Sequence, residues 1–532
     1  MHSSLHCATI VGAGARIVDV QVDLSLGLPG FYLVGLPDHS CIDARVRVLT
    51  AIRNSGYHLP QKKITVNLAP GDLRKEGAAF DLAIALGVLG ASGLFPPVGR
   101  TVLVVGELAL SGDLLPVRGL LPIALEARRL GFETLIAPEQ NASEGALVQG
   151  LHVFGARTLV EAVAIYLGEG VPANPADPLA PDAHAMDLTE VRGQAHCKWA
   201  LTVAAAGGHN ALLIGPPGAG KTMLARRLPT LLPALSFEEA VETTSIWSIA
   251  GRLKPGQGLL SERPFRAPHH TISVAGLVGG GSPPRPGEIS LAHNGVLFLD
   301  ELPEYSHAAL EALRQPLEDG EVSVVRAKGA ATLPARFMVL AAMNPCPCGH
   351  AMDADPERCR CTLPGKESYL RRISGPILDR FDVHIEAPAV STRELSGAPD
   401  GETSTQAREK VEKARAIQRK RGVHCNAQLR GRALREACGA TDRARGVLAG
   451  IIEASRLSAR AYDRVLKLAR TIADLAGSDR VNEDHVFEAS QLRCLDRPLT
   501  GRDPRPPLHI ARETVTHKSP GTAPGELPRE RA

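Results

Sequence analysis

Short apolar runs alternate with amphipathic stretches through the middle of the chain. NALLIG (210–215), GVLFLD (295–300), RFMVLAAMN (336–344) and FDVHIEAP (381–388) each predict a buried strand. Between them, the residues from Lys221 onward and HAALEALRQPLEDG (307–320) predict helices, with Pro316 as a bend in the second. Apolar strands alternating with helices predict an α/β fold, with a parallel sheet covered on both faces. After residue 407 the period becomes helical, as in AREKVEKARAIQRKR (407–421) and YDRVLKLARTIADLAG (462–477).

Two Pro- and Ala-rich breaks divide the chain, GEGVPANPADPLAPDAHAMD (168–187) and STRELSGAPDGETSTQ (391–406). They predict an N-terminal domain over 1–168, a linker over 169–188, a central domain over 189–390, a linker over 391–406 and a helical domain over 407–500. The Pro-rich, polar segment 501–532 has too little apolar surface to order itself and is expected to be disordered.

With 532 residues, 44% apolar and 22% charged, the composition is that of a multidomain soluble protein. The net charge of +3 decides little, but 401–500 carries 20 Lys/Arg against 13 Asp/Glu. That excess suits an anionic partner or a solvated helical face. The N-terminus has no basic stretch leading into an apolar one, so no signal peptide is expected. No run of about 18 uncharged apolar residues is found, so no membrane association is expected. Ten cysteines in such a chain point to the cytoplasm rather than to a disulfide framework. Six of them (Cys7, Cys41, Cys197, Cys425, Cys438, Cys494) are scattered and are expected to be buried or inert thiols.

The strand at 210–215 leads into GPPGAGKT, that is Gly215, Pro216, Pro217, Gly218, Ala219, Gly220, Lys221 and Thr222. A strand, this glycine-rich loop and a helix form the P-loop context. Backbone N–H groups and the helix N-terminus would hold ATP phosphates, Lys221 would reach the β/γ-phosphates, and Thr222 would hold Mg²⁺. At the end of GVLFLDE, Asp300 would position the same Mg²⁺ and Glu301 would activate the attacking water. Asn344, at the end of the next strand, would help position that water. This order is that of an AAA+ ATPase. Arg380, in RRISGPILDRFDVHI (371–385), stands where a ring ATPase carries an arginine finger acting on the neighbouring subunit. Arg460 opens a helix that would bring a second sensor arginine to the phosphates, and Arg464, one turn on, competes for that role.

Directly after Asn344 come Cys346 and Cys348, then Cys359 and Cys361. Two C-x-C pairs supply the four thiolates of a closed structural Zn²⁺ site, with disulfides or free thiols as the alternatives.

GPPGAGKT, PFRAPHHT (264–271), PGEISLAHNGVLFLDELPE (286–304), NPCPCG (344–349) and ISGPILDRFD (373–382) together resemble the YifB/ComM family of magnesium-chelatase-like AAA+ ATPases, over about residues 5 to 500. The resemblance implies ATP and Mg²⁺, an ATP-dependent homo-hexamer, and helicase action on single-stranded or branched DNA, promoting branch migration in natural transformation. It also implies an insertion, about 40 residues from Ala250, and a loop within EVSVVRAKGAATLPARF (321–337), both facing the ring's pore. There Arg326 and Lys328 would contact phosphates, unless the segment is an ordinary hairpin. His269, His270 and His293 belong to the motifs and are expected only to pack or to hydrogen-bond. The helical segment after 407 would be the lid. RKEGAAFDLAIALGVLG (74–90) and GELALSGDLLPVRGLLPIALEARRLGF (106–132) resemble the Lon-protease-like domain, an α+β fold of the ribosomal S5 domain 2 type. Ala79 and Leu121 stand where Lon's Ser and Lys would align, so the dyad is missing and a protease is the weakest reading. A chelatase-type ATP-dependent protein remodeller is the alternative to a DNA motor.

Overall fold

The computed structural model describes residues 2–59, 61–95, 101–176, 186–254, 256–281, 284–326, 329–353, 355–390, 394, 401–454 and 458–496. The segment expected to be disordered (501–532) and residues 177–185 of the first expected linker lie outside these residues. The chain forms two compact units, residues 1–186 with 234–339, and 187–233 with 340 onward.

The first unit is built on a mixed seven-stranded sheet. Its strands are β1 (His2–Val11), β2 (Gly14–Ser25), β3 (Gly30–Val34), β4 (Lys63–Ala69), β5 (Val102–Val104), β6 (Thr134–Pro138) and β7 (His152–Ala156), in the order β3-β4-β2-β1-β5-β6-β7. β1 and β2 form an antiparallel hairpin in which Val11 faces Gly14 across a two-residue loop. Gly12 in that loop has φ 63°, which a residue without a Cβ adopts at no steric cost. Buried and exposed positions alternate along β2, so one face of it meets the core. That face is covered by the helix Asp81–Ala91, apolar on nearly all sides and buried accordingly. Asp81 opens that helix and is itself buried; Arg47 pairs with it at 2.6 and 3.0 Å. A buried charge needs such a partner.

In the same unit, the helix Phe237–Ile249 starts with a capping box, Ser236 with Glu239, and packs on the helix Leu120–Arg129. Buried Glu144 joins them, accepting hydrogen bonds from the Leu121 N–H (2.9 Å) and the Ser248 hydroxyl. The strands Phe265–Arg266 and Val296–Leu299 pair in parallel, and Phe265 stacks on Phe298 with ring centres 5.8 Å apart. The segment with Pro316 forms two short helices, His307–Ala312 and Arg314–Asp319. The break falls at Leu313 rather than at the proline itself. Pro316 has no N–H for the carbonyl one turn back, so the chain yields there. Glu321–Arg326 and Gly329–Pro334 form an antiparallel hairpin; the Arg326 side chain and Lys328 lie outside the described residues.

In the second unit, the strand Ala211–Ile214 lies between Met338–Met343 and Val383–Glu386, parallel to both. All four residues of Ala211–Ile214 are buried, as its apolar run predicts. The helix Ser404–Lys420 starts with a second capping box, Thr403 with Gln406, inside the expected linker. It docks on the helix Ala195–Gly207: Arg415 Nη2 donates to the Ala205 carbonyl (2.8 Å) and Gln418 Nε2 to that of Ala206 (3.1 Å). Both carbonyls belong to the last turn of that helix and lack partners within it. Further on, the fully buried Arg470 is paired with Asp474 at 2.8 Å within Ala459–Leu475. No helix among the described residues is long and apolar enough to cross a membrane.

Candidate nucleotide site and cysteine cluster

The loop 215–220 turns from the strand Ala211–Ile214 into the helix Lys221–Leu231. Gly218 and Gly220 have φ 77° and 74°, the left-handed region that glycine adopts freely. A Cβ at either would meet nothing within 4 Å, so the space beside both glycines is open. Lys221 Nζ donates to the carbonyls of Gly215 (2.7 Å) and Pro216 (2.9 Å) and to Asn344 Oδ1 (3.0 Å). The ammonium is therefore held over the loop, within reach of phosphates it would exchange for carbonyls. Thr222 is exposed in the first turn of the helix. These features suit a nucleotide with its Mg²⁺.

Asn344 follows directly on the strand Met338–Met343, and five residues later, at Gly349, the chain turns back on the P-loop. Gly349 has φ 84°, and its N–H closes a turn on the Cys346 carbonyl (3.0 Å). A Cβ on Gly349 would lie 2.4 Å from Pro217 Cδ, so the NPCPCG turn and the P-loop touch backbone to ring.

Cys346, Cys348, Cys359 and Cys361 converge, each sulfur within 4.8 Å of the others. The Sγ separations are 3.4 Å for Cys346–Cys348 and 3.8 Å for both Cys346–Cys359 and Cys348–Cys359. A tetrahedral site with Zn–S bonds of about 2.3 Å has sulfur–sulfur edges of about 3.8 Å. The geometry is that of a metal-ligand set, and all ten cysteines are free thiols rather than disulfides. Burial pushes Cys346 up to about 12. Burial also raises Cys348, but hydrogen bonds from the His350 backbone and neighbouring sulfurs outweigh it and bring Cys348 down to about 6. Burial pushes the isolated thiols of Cys7, Cys197 and Cys438 up to about 12, which leaves them inert.

Asp300 and Glu301 follow the strand Val296–Leu299 in the first unit. Asp300 Oδ1 accepts the Glu301 N–H at 3.0 Å. Glu301 itself has φ 53°, which costs a side-chain-bearing residue about 1–2 kcal/mol and marks a position held by its surroundings. One holder is His270, whose Nδ1 lies 3.2 Å from a Glu301 carboxylate oxygen. Tyr305 fixes that segment by donating its hydroxyl to the Pro268 carbonyl at 2.6 Å. Burial, with the Asp300 and Glu301 carboxylates nearby, pushes the Tyr305 phenol well up, so it remains a donor. Neither His270 nor Tyr305 was assigned a part at this acidic pair from the residues alone; the adjacency of PFRAPHHT to the Asp-Glu strand in the sheet was the missing signal. His293 is buried, with Nε2 3.0 Å from Glu242 and Nδ1 accepting the Arg336 N–H at 3.0 Å, a structural role as expected.

Arg380 lies two residues past the short helix Gly375–Leu378, half-buried, and the Asn210 carboxamide donates to its carbonyl at 3.1 Å. Its neighbour Asp379 receives two arginines of the helix Ala459–Leu475, Arg460 at 3.4 Å and Arg464 at 3.1 Å. The Arg464 side chain is 11% exposed and that of Arg460 80%.

Three family models match along the chain: subunit ChlI of Mg-chelatase over 20–141, magnesium chelatase subunit ChlI over 187–395, and the ChlI C-terminal region over 401–493. The chain is 45% identical over 502 residues to the competence protein ComM of Haemophilus influenzae, covering 92% of this chain and 97% of that one. It is 45% identical over 503 residues to YifB of Escherichia coli, covering 93% and 98%. A Lon protease of Geobacter metallireducens shares 26% identity over 175 residues, 31% of this chain and 21% of that protease. Identity of this degree across nine-tenths of the length, with chelatase models matching all three regions, shows that the chain belongs to the YifB/ComM family of magnesium-chelatase-like proteins.

Proposed function

We propose that the chain is an ATP-hydrolysing AAA+ motor that assembles as a homo-hexamer and acts on single-stranded or branched DNA. The observation that supports this best is the hydrogen bond between Lys221 and Asn344, 123 residues apart, which ties the phosphate-binding lysine to a strand-end carboxamide. In this reading Gly215 to Thr222 hold the ATP phosphates, Thr222 and Asp300 share Mg²⁺, Glu301 activates water, and Arg380 completes the neighbour's site. Arg460 or Arg464 senses the phosphates from the lid. The likeness to a competence protein points to DNA taken up or recombined as the substrate. The basic excess of 401–500 supplies phosphate-binding charge. The N-terminal domain is Lon-like in fold but carries Ala79 and Leu121 in place of a nucleophile and base, so it serves assembly or DNA contact.

The test is the steady-state ATPase rate with and without single-stranded and forked DNA, at low and moderate salt. Strong stimulation that fades with salt supports the motor. A rate indifferent to DNA at every salt favours the second reading, an ATP-dependent remodeller of a protein partner, which the likeness to chelatase subunits supports.

A further inference from the structure

The geometry points to a zinc site at Cys346, Cys348, Cys359 and Cys361 that braces the ATP-binding loop, so that metal occupancy sets nucleotide affinity. The inference rests on ATP as the ligand of that loop.

Three observations carry it. The first is the ligand set. Four sulfurs gather within 4.8 Å of one another, and the three separations among Cys346, Cys348 and Cys359, 3.4 to 3.8 Å, match the edges of a tetrahedral site for a thiophilic d¹⁰ cation. The second is the shell around them. Backbone N–H groups of Ala351, of His350 and Arg360, and of Cys348 point at the sulfurs of Cys346, Cys348 and Cys361 respectively. Such donors spread the charge of a tetrathiolate and fix its orientation. The loop between the pairs is closed by Asp353, which takes His350 at 2.9 Å and Arg358 at 3.0 Å.

The third is what the first pair of ligands is attached to. Six residues, 344–349, hold both zinc ligands Cys346 and Cys348 and touch the P-loop at each end. Asn344 accepts from Lys221 Nζ at 3.0 Å. Gly349 sits so close to Pro217 that a Cβ there would come within 2.4 Å. Cys346, between them, is fully buried. Pinning Cys346 and Cys348 to one metal therefore fixes both contacts. Within the segment itself, the Gly349 N–H to Cys346 carbonyl turn adds a local restraint. The site has no open ligand position, so its role is positioning rather than catalysis.

Purified full-length chain should retain about one zinc per chain by mass spectrometric metal analysis. Titration with a fluorescent ATP analogue should then compare native chain, chain stripped with chelator and returned to Mg²⁺ buffer, and stripped chain given Zn²⁺. Stripping is expected to weaken binding about tenfold, the scale of a contact displaced by a fraction of an ångström, and Zn²⁺ to restore it. Gly349→Ala should keep its zinc and still lose affinity to a similar degree, which separates the brace from global unfolding. Cys359→Ser with Cys361→Ser should lose both. No zinc retained or taken up, or a stripped chain that binds the analogue as tightly as the native one, overturns the proposal. Both readouts are taken without DNA, so a motor reading that fails on DNA stimulation leaves this result standing. A native chain that holds zinc yet binds no nucleotide would overturn the nucleotide reading and the brace with it.

Discussion

His270 Nδ1 stands 3.2 Å from Glu301, although 31 residues separate them, and Glu301 keeps a left-handed backbone beside it. The imidazole comes from the segment that follows the strand Phe265–Arg266; the carboxylate ends its parallel neighbour Val296–Leu299. Sheet pairing, not chain proximity, makes the contact. The proposed role of Glu301 in aiming a water would need a fixed rotamer, and His270 supplies one restraint on it.

His270→Ala is therefore expected to lower kcat about tenfold while leaving ATP affinity unchanged, the signature of a misaimed base. His270→Gln, which keeps a donor, should recover part of the loss. An unchanged kcat in His270→Ala, measured with saturating ATP, would remove His270 from the mechanism.

Lys221 and Glu301 should separate binding from turnover. Lys221→Ala loses the ammonium proposed to reach the phosphates and should bind ATP at least about tenfold more weakly, ~1.4 kcal/mol. Glu301→Gln should bind normally and turn over about 10²–10⁴-fold more slowly, the range of a lost general base. Near wild-type hydrolysis by Glu301→Gln would end the assignment.

Arg380→Ala should be inactive alone and regain activity when mixed with Lys221→Ala chains, because each supplies what the other lacks at a shared interface. Titrating one inactive variant into the other while following ATPase rate reads this directly. A flat response would place Arg380 within its own subunit's structure.

Asp379 distinguishes Arg460 from Arg464. Arg464 is nearly enclosed and 3.1 Å from Asp379, so Arg464→Ala should lower Tm measurably. Arg460 is mostly exposed at 3.4 Å, and such pairs contribute about 0–1 kcal/mol, so Arg460→Ala should leave Tm nearly unchanged. If Arg460 is the sensor, the same variant still weakens ATP binding; unaltered affinity assigns the role to Arg464.

His384 should make the fold acid-sensitive. It lies on the strand Val383–Glu386, and burial, then the Arg493 and Arg464 guanidinium groups, hold its imidazole well below the usual value; Asp382 acts weakly the other way. The folded chain keeps it neutral, whereas the unfolded chain protonates it below about pH 6.5. Stability is therefore full above that pH and falls as pH falls, with a slope approaching ~1.4 kcal/mol per pH unit for one such group. His209, pushed down by burial though opposed by Asp382, and His485 add in the same direction. Melting curves between pH 8 and 5 should show Tm dropping, and His384→Gln should flatten the slope. A wild-type Tm independent of pH over that range contradicts the assignment.

The sequence by itself determined what is local. The strand Ala211–Ile214 and the helix from Lys221 follow from an apolar run and a glycine loop that are contiguous along the chain. The two C-x-C pairs singled out Cys346, Cys348, Cys359 and Cys361 as one candidate cluster, and the fold gathers their sulfurs within 4.8 Å. Tertiary structure decided everything that depends on which residues meet across distance. The grip of Asn344 and Gly349 on the P-loop, the hold of His270 on Glu301, and the sharing of Asp379 by Arg460 and Arg464 are all long-range contacts. Even the break at Leu313 ahead of Pro316 needed the folded backbone to locate it. Periodicity and loop chemistry act within about one turn or one strand, so they are written along the chain. Side-chain partnerships follow from strand order and the direction of each helix, which pattern alone leaves open.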